Sequence, residues 1–366
     1  MRHGNLIRDG KRCDYLLLNK DKAKKAGCVW QVDIRKIFET NKELIGAVDR
    51  AVCFFRTGRY DKALEWVADT ADEIHLVTDA VMTDREYFSE ISVDFIGEML
   101  QNIVEATQRK DYVLLCDLYD MQLATFICGV QEHILKKEQY LLFDNEEYRE
   151  NINSLKQVLR EMIEEREDLS VDEQKRFRVN LNAKLDDMFD PSALLKKGFN
   201  LEFTSSGSMT ISAPFGKDRI YLHSNGRVVN ESLQLALNWY DSIVDEYIVY
   251  GFGMGYHIDE LSRLAPGKRI VVYESDLDVL RLYCAFSDGA EILSKENIFV
   301  VYDPDLGVIR RRIGEVEPQD SDGKMLFVDR GGRIVKVCVH YPSYRRTPGC
   351  DALDAAVPWK RVVESC

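Results

Sequence analysis

Three glycines at alternate positions, a histidine in the turn that follows, and an acid closing the next apolar run could together hold a phosphate and a sugar. They occur in Tyr247-Ile-Val-Tyr-Gly-Phe-Gly-Met-Gly-Tyr-His257 and Arg269-Ile-Val-Val-Tyr-Glu-Ser-Asp276. The pattern predicts a buried strand, a glycine-rich turn, a helix and a second strand. Gly251, Gly253 and Gly255 would let the backbone turn sharply and let a ligand approach the main chain. The following helix would turn unpaired N–H groups and a partial positive charge toward that ligand. Glu274 lies 23 residues after Gly251, close to the spacing at which such folds place a carboxylate on ribose hydroxyls. Tyr256 stands where a G-x-G-x-x-G turn needs its third glycine, which weakens a dinucleotide reading. The G-x-G-x-G form suits S-adenosylmethionine, but Val249 stands where such sites carry an acid. A turn that binds nothing is the alternative.

Other residues could complete such a site. His223 and Ser224, in Tyr221-Leu-His-Ser-Asn-Gly226, could touch phosphate or sugar hydroxyls, or Ser224 could simply cap a turn. His257 would sit beside a helix N-terminus, where the dipole disfavours its protonation. Asp303, in Asp303-Pro-Asp305, follows an apolar run and would lie at the ligand side of a parallel sheet, or cap a helix. Of Arg310, Arg311 and Arg312, at most one or two could converge on an anion, because consecutive helical residues point in different directions. No Walker-type phosphate loop, nucleophile elbow or ordered Ser/His/Asp series occurs. The six histidines have no metal-ligand spacing, so no metal site is expected.

Composition narrows the class. The chain has 366 residues, 45% of them hydrophobic and 30% charged, with a net charge of −13. This fits a globular protein with substantial cores and argues against a nucleic-acid partner, which would need a basic footprint. The nine cysteines form no C-x-x-C pair and sit mostly in apolar runs, which reads as reduced cytoplasmic thiols. No signal peptide is evident, and no apolar run is expected to span or insert into a membrane.

The elements that must position these residues fall in two halves. Residues 1–33 read as irregular, with a strand or turn at Tyr15-Leu-Leu-Leu18. Residues 34–197 read as an antiparallel helical bundle. Its expected helices include one from Tyr60 to Val81, one begun by a capping box at Thr83 and Glu86, one capped by Asp111, and one begun by a second box at Ser170 and Glu173. The acidic run from Glu161 to Asp168 reads as a solvated face. Residues 198–346 alternate strands and helices, including a hairpin about Asp329-Arg-Gly-Gly332. Residues 347–366 read as a tail, with a short helix near Asp354. The fold class expected is therefore α/β: a helical bundle followed by a Rossmann-like, methyltransferase-like domain with a small hairpin region.

The order Ile220-Tyr-Leu-His-Ser224 and Glu231, then Val249 to His257 and Leu261, then Val272-Tyr-Glu-Ser-Asp276, then Val339-His-Tyr-Pro-Ser-Tyr-Arg345, resembles the N-terminal α/β domain of the bacterial motility-associated factor proteins. That resemblance covers about 150 residues. It implies a cytoplasmic, glycosyltransferase-like protein that binds a nucleotide or nucleotide-sugar and is linked to flagellin glycosylation. Flagellin would meet the helical half. The family's second α/β domain, which is thought to hold the transferase centre, has no counterpart here, and Asn225 to Ser232 lacks the proline and alanine usual around the glutamate. The resemblance therefore carries no catalytic residue onto the chain and leaves enzymatic activity open. An S-adenosylmethionine-dependent methyltransferase and an inactive interaction module are the alternatives.

Overall fold

The computed structural model describes residues 5–8, 11–14 and 32–340, less short stretches at 139–140, 142, 144, 165–169, 188–194, 205, 216–217, 288 and 322–323. The expected features at Tyr15–Leu18, Asp354 and beyond 340, and part of the acidic run, lie outside the described residues. The fold is mixed α/β. A hairpin of β1 (Asn5–Arg8) and β2 (Lys11–Asp14) opens it.

Helix α1 (Ile34–Arg56) is started by Asp33, whose carboxylate accepts from the Lys36 N–H, and is stopped at Thr57 and Gly58. Its apolar residues form the axis of a helical core. Around it stand α2 (Tyr60–Asp69), α3 (Ala71–Thr83), α4 (Ile96–Arg109), α5 (Tyr112–Asp117), a π-helical turn (Leu118–Leu123) and α6 (Ala124–Lys137). The single helix expected over Tyr60–Val81 is divided at buried Thr70, whose hydroxyl bonds back to the Val67 carbonyl. The capping box at Thr83 does not form. Thr83 ends α3, and the Asp84 carboxylate instead accepts from the Tyr87 N–H in a turn. Asp111 and Ser170 do cap their helices, the latter with Glu173 in a full capping box.

Tyr112–Lys137 forms one continuous helical run. By length and composition it is long and apolar enough to cross a membrane. Its inner face, with Leu115, Leu118, Leu123, Ile127 and Ile134, is buried in the helical core.

Helices α7 (Asn145–Glu164) and α8 (Val171–Asp186) were expected in the bundle. Their buried residues, among them Ile152, Leu155, Leu159, Leu181 and Leu185, pack instead into the core of the main sheet. These two helices thus share a core with the sheet.

A small antiparallel sheet follows, ordered β3 (Asn200–Phe203), β4 (Met209–Phe215), β5 (Asp218–Tyr221). Then come α9 (Val228–Trp239), β6 (Glu246–Tyr250), α10 (Tyr256–Leu264), β7 (Arg269–Glu274), α11 (Leu277–Phe286), α12 (Gly289–Leu293), β8 (Ile298–Tyr302), α13 (Gly307–Gly314), β9 (Glu317–Ser321), β10 (Lys324–Val328) and β11 (Ile334–Val339). The main sheet is ordered β8-β7-β6-β11-β10-β9. Strands β8, β7, β6 and β11 run parallel, and the β10 and β9 ribbon is antiparallel.

Alternate strand residues reach opposite faces, as the pleat requires. Tyr247, Val249, Ile270, Val272, Ile298 and Val300 meet α7 to α11 on one face. Ile248, Tyr250, Val271, Tyr273, Val301 and Val337 meet α13 on the other. Both faces are covered, so the parallel strands read as continuous apolar runs.

Arg50 pairs with buried Glu260 at 2.6 Å, and Arg227 pairs with buried Asp49 at 2.6 Å, joining α1 to the α9–α10 side of the sheet. Leu233 of α9 enters the helical core directly.

The Asp329 turn predicts an acid sensitivity. Burial pushes the Asp329 carboxyl up, but the Arg333 and Gly331 N–H groups and the Arg333 guanidinium outweigh it and hold the pKa at about 2. An unfolded aspartate titrates near ~3.9. The stabilisation is therefore complete above about pH 4 and lost as pH falls toward about 2. Asp329→Asn should lower the melting temperature at neutral pH and flatten the acid limb of stability between about pH 4 and 2. An unchanged acid limb would contradict this.

Candidate functional site

In the main sheet the strand order reverses between β6 and β11. The chain moves outward from β6 to β7 and β8, then returns to pair β11 on the other side of β6. Ligands of open parallel sheets bind beyond the carboxyl ends of the strands at such a reversal. The glycine turn after β6 and His340 after β11 both lie there, and the His340 N–H donates to the Tyr250 carbonyl at 3.0 Å.

Gly251, Gly253 and Gly255 have φ of 95°, 52° and 74°, a region L side chains rarely adopt. What approaches this turn is protein. A Cβ on Gly253 would lie 2.8 Å from His223 Nε2, and one on Gly255 would lie 2.8 Å from the ring of buried Tyr283. The space the glycines make is filled by His223, His340 and Tyr283.

Glu274 is fully buried. One carboxylate oxygen accepts from the Phe252 N–H at 2.9 Å, and the other from the Ser275 and Asp276 N–H groups at 2.8 and 2.9 Å. It ties the glycine turn to the end of β7 and is not presented to a ribose. Asp303 is likewise buried, and its carboxylate accepts from the Gly307, Val308 and Ile309 N–H groups at the start of α13. The Ser224 hydroxyl accepts from the Gly226 N–H, and the Ser224 N–H donates to Glu231, an arrangement that closes a turn. Arg312 points to the opposite end of the sheet, where it bridges buried Glu246 at 2.9 Å and Asp329 at 3.3 Å.

The histidines are where the fold converges. The small sheet packs on the glycine turn and α11 through Met209, Ile211, Leu222, Met254, Val279 and Leu282. The Thr210 hydroxyl holds the His223 carbonyl, and the Tyr256 hydroxyl donates to the Met209 carbonyl. His223 is thereby set over the turn. Its Nε2 accepts from the Met254 N–H at 3.0 Å. His257 Nε2 lies 3.1 Å from the Gly251 carbonyl, to which it donates, leaving Nδ1 as the acceptor nitrogen. His257 stacks on His340 with centroids 3.6 Å apart and planes at 8°, while the His223 and His340 centroids are 4.5 Å apart.

Burial lowers all three pKa values. For His223 and His340 the neighbouring imidazoles push the same way, and His257 is held at about 3 although its Gly251 bond opposes the shift. All three rings are thus neutral at physiological pH, with one nitrogen of each within 4.8 Å of the others. The sequence reading found His223 and His257 but not this grouping, since the three lie 34 and 83 residues apart in the chain. His340, at the end of an apolar run on the strand beside the turn, was the available signal.

A crevice of about 370 Å³ is lined by Lys184, Asp187, Lys197, Ser275, Asp276, Leu277, Asp278, Arg281 and Tyr302. It sits beyond the carboxyl ends of β7 and β8 and at the start of α11. Lys197 Nζ lies 2.7 Å from the Asp276 carboxylate and 2.8 Å from that of Asp278. Burial alone would lower the Lys197 pKa, but the two carboxylates outweigh it and raise it. The Arg281 guanidinium donates to the Asp187 carbonyl at 2.8 Å. Ser275 and Asp276 close the motif that carries Glu274, but none of these side chains is a site candidate from sequence, because a crevice of scattered charges has no local spacing.

Comparison with protein families, with curated proteins and with solved structures finds no match for this chain.

Proposed function

We propose that this chain is a Rossmann-like ligand-binding protein whose crevice beyond β7 and β8 takes a small anionic nucleotide. The observation that carries the reading is the mixed-charge crevice at the carboxyl end of the parallel strands. Lys184, Lys197 and Arg281 carry positive charge that phosphate oxygens could meet, with Lys197 exchanging its Asp276 and Asp278 pairs and Arg281 its Asp187 and Asp278 contacts for the ligand. Asp276 and Asp278 offer acceptors for sugar hydroxyls, and Tyr302 offers an aromatic wall. The carboxylate that meets a ribose is then Asp276, two residues after Glu274. Resemblance to the motility-associated factors extends the proposal to a nucleotide-sugar and to flagellin glycosylation. The S-adenosylmethionine alternative requires Glu274 on the ribose, and the three N–H groups it already holds count against that.

Thermal stabilisation against cytidine and uridine nucleotides, their sugar conjugates and S-adenosylhomocysteine tests the proposal. A ligand at 100 times its Kd should add about 2.7 kcal/mol. A shift with a pyrimidine nucleotide that falls at least about tenfold in affinity on Lys197→Ala supports the reading. A shift with S-adenosylhomocysteine alone would replace it with the methyltransferase. No shift would favour a partner-binding module, for which the exposed Val104, Val113 and Met121 of the helical half are the supporting observation (53%, 72% and 70% accessible).

A further inference from the structure

We propose that His223, His257 and His340 form a binding site for a divalent transition-metal ion of the zinc class, distinct from the nucleotide crevice. Three imidazoles from three separate segments meet at the strand-order reversal, with a candidate ligand nitrogen of each within 4.8 Å of the others. The donor set selects the ion. Magnesium and calcium want oxygen ligands. Among the described residues the cluster contains only imidazole nitrogens, and the nearest buried carboxylate, that of Glu274, is engaged by three backbone N–H groups. Imidazole suits zinc, copper, nickel and cobalt. Three protein ligands with one position left for water or a ligand atom is the pattern of reactive zinc sites.

The surroundings are those of a ligand set. His257 donates from Nε2 to the Gly251 carbonyl, the kind of outer hydrogen bond that fixes the tautomer and aims Nδ1 at an ion. That Nδ1 is buried with no hydrogen-bond partner. An unpartnered lone pair in a dry interior costs free energy that a metal ion would recover. His340 is partly exposed as a residue, although its Nδ1 is buried, so the cluster has one side near solvent. Gly253 keeps the space open, since a Cβ there would sit 2.8 Å from His223 Nε2 and 3.2 Å from the His340 ring.

Binding requires two adjustments. The His257 and His340 rings are parallel, and parallel rings send their in-plane lone pairs side by side, so the pair must splay to share one ion. The Nε2 lone pair of His223 accepts from the Met254 N–H, so Nδ1 carries the hydrogen of the neutral ring, and the ring must exchange the Met254 bond for the ion or change tautomer to offer Nδ1.

The test uses the full chain, stripped with chelator and dialysed against Zn2+ alone and Co2+ alone. The expected result is one Zn2+ per chain, and a Co2+ complex with the intense visible absorption of a four-coordinate site. His340→Gln and His223→Gln should each weaken binding by more than the roughly 10–100-fold that loss of an outer partner costs. Exposed His75→Gln should leave it unchanged. Circular dichroism on each variant separates lost binding from lost folding, and His340→Cys, which offers another soft ligand, should restore binding if the position ligates. Absence of stoichiometric Zn2+ in the folded wild type, or Zn2+ retained in folded His223→Gln and His340→Gln variants, would overturn the proposal.

Discussion

Alanine at Gly255 is expected to destabilise the protein by about 2–5 kcal/mol. The left-handed backbone there, φ 74°, costs a non-glycine residue about 1–2 kcal/mol. The new methyl group would lie 2.8 Å from the ring of Tyr283, which is fully buried against Phe252 and cannot swing away. Forcing one extra carbon into such a core adds about 1–3 kcal/mol. Urea unfolding at neutral pH measures the sum. A Gly255→Ala protein within about 0.5 kcal/mol of the wild type would show that the glycine is not there for packing, and would return the turn to the role of a ligand cradle.

The second large effect is expected at Glu274. Removing its carboxylate in Glu274→Ala leaves the Phe252, Ser275 and Asp276 N–H groups without their acceptor. An unsatisfied buried donor costs about 1–3 kcal/mol. The Ser275 and Asp276 groups are only partly buried, so water recovers some of that cost and the expected loss is about 3 kcal/mol. Glu274→Gln should recover only part of it, since the amide places its own N–H groups against backbone donors. A carboxylate kept only for ribose would behave in the opposite way, with stability unchanged and ligand affinity lost.

These two positions also show how far the sequence could be read. Apolar runs such as Tyr247–Tyr250 and Ile270–Tyr273 announce buried parallel strands, because both faces of the sheet are covered. Asp111 and Ser170 announce helix starts, because capping is a contact between near neighbours. Gly251, Gly253 and Gly255 announce a strained turn, and the turn is there. What spacing could not convey is what fills it. The contacts that decide this come from His223, Tyr283 and His340, far along the chain on either side. The same limit hid the packing of α7 and α8 on the sheet. Their apolar stripe is the same whether it faces another helix or strand β8, so periodicity assigned them to a bundle. Thr83 and Glu86 show the converse error, where a correctly spaced capping pair lost to the Asp84 turn.

The proposed anionic ligand belongs in the crevice between Lys197 and Arg281, and the glycine turn and Glu274 have a structural task. Isothermal titration of the best pyrimidine nucleotide into wild type, Lys197→Glu and a folded Glu274→Gln variant separates the two sites in a single measurement. Lys197→Glu is expected to abolish binding, and Glu274→Gln, though less stable, to bind within about threefold of the wild type. Undiminished binding in Lys197→Glu with binding lost in folded Glu274→Gln would contradict this and put the ligand back over the glycines.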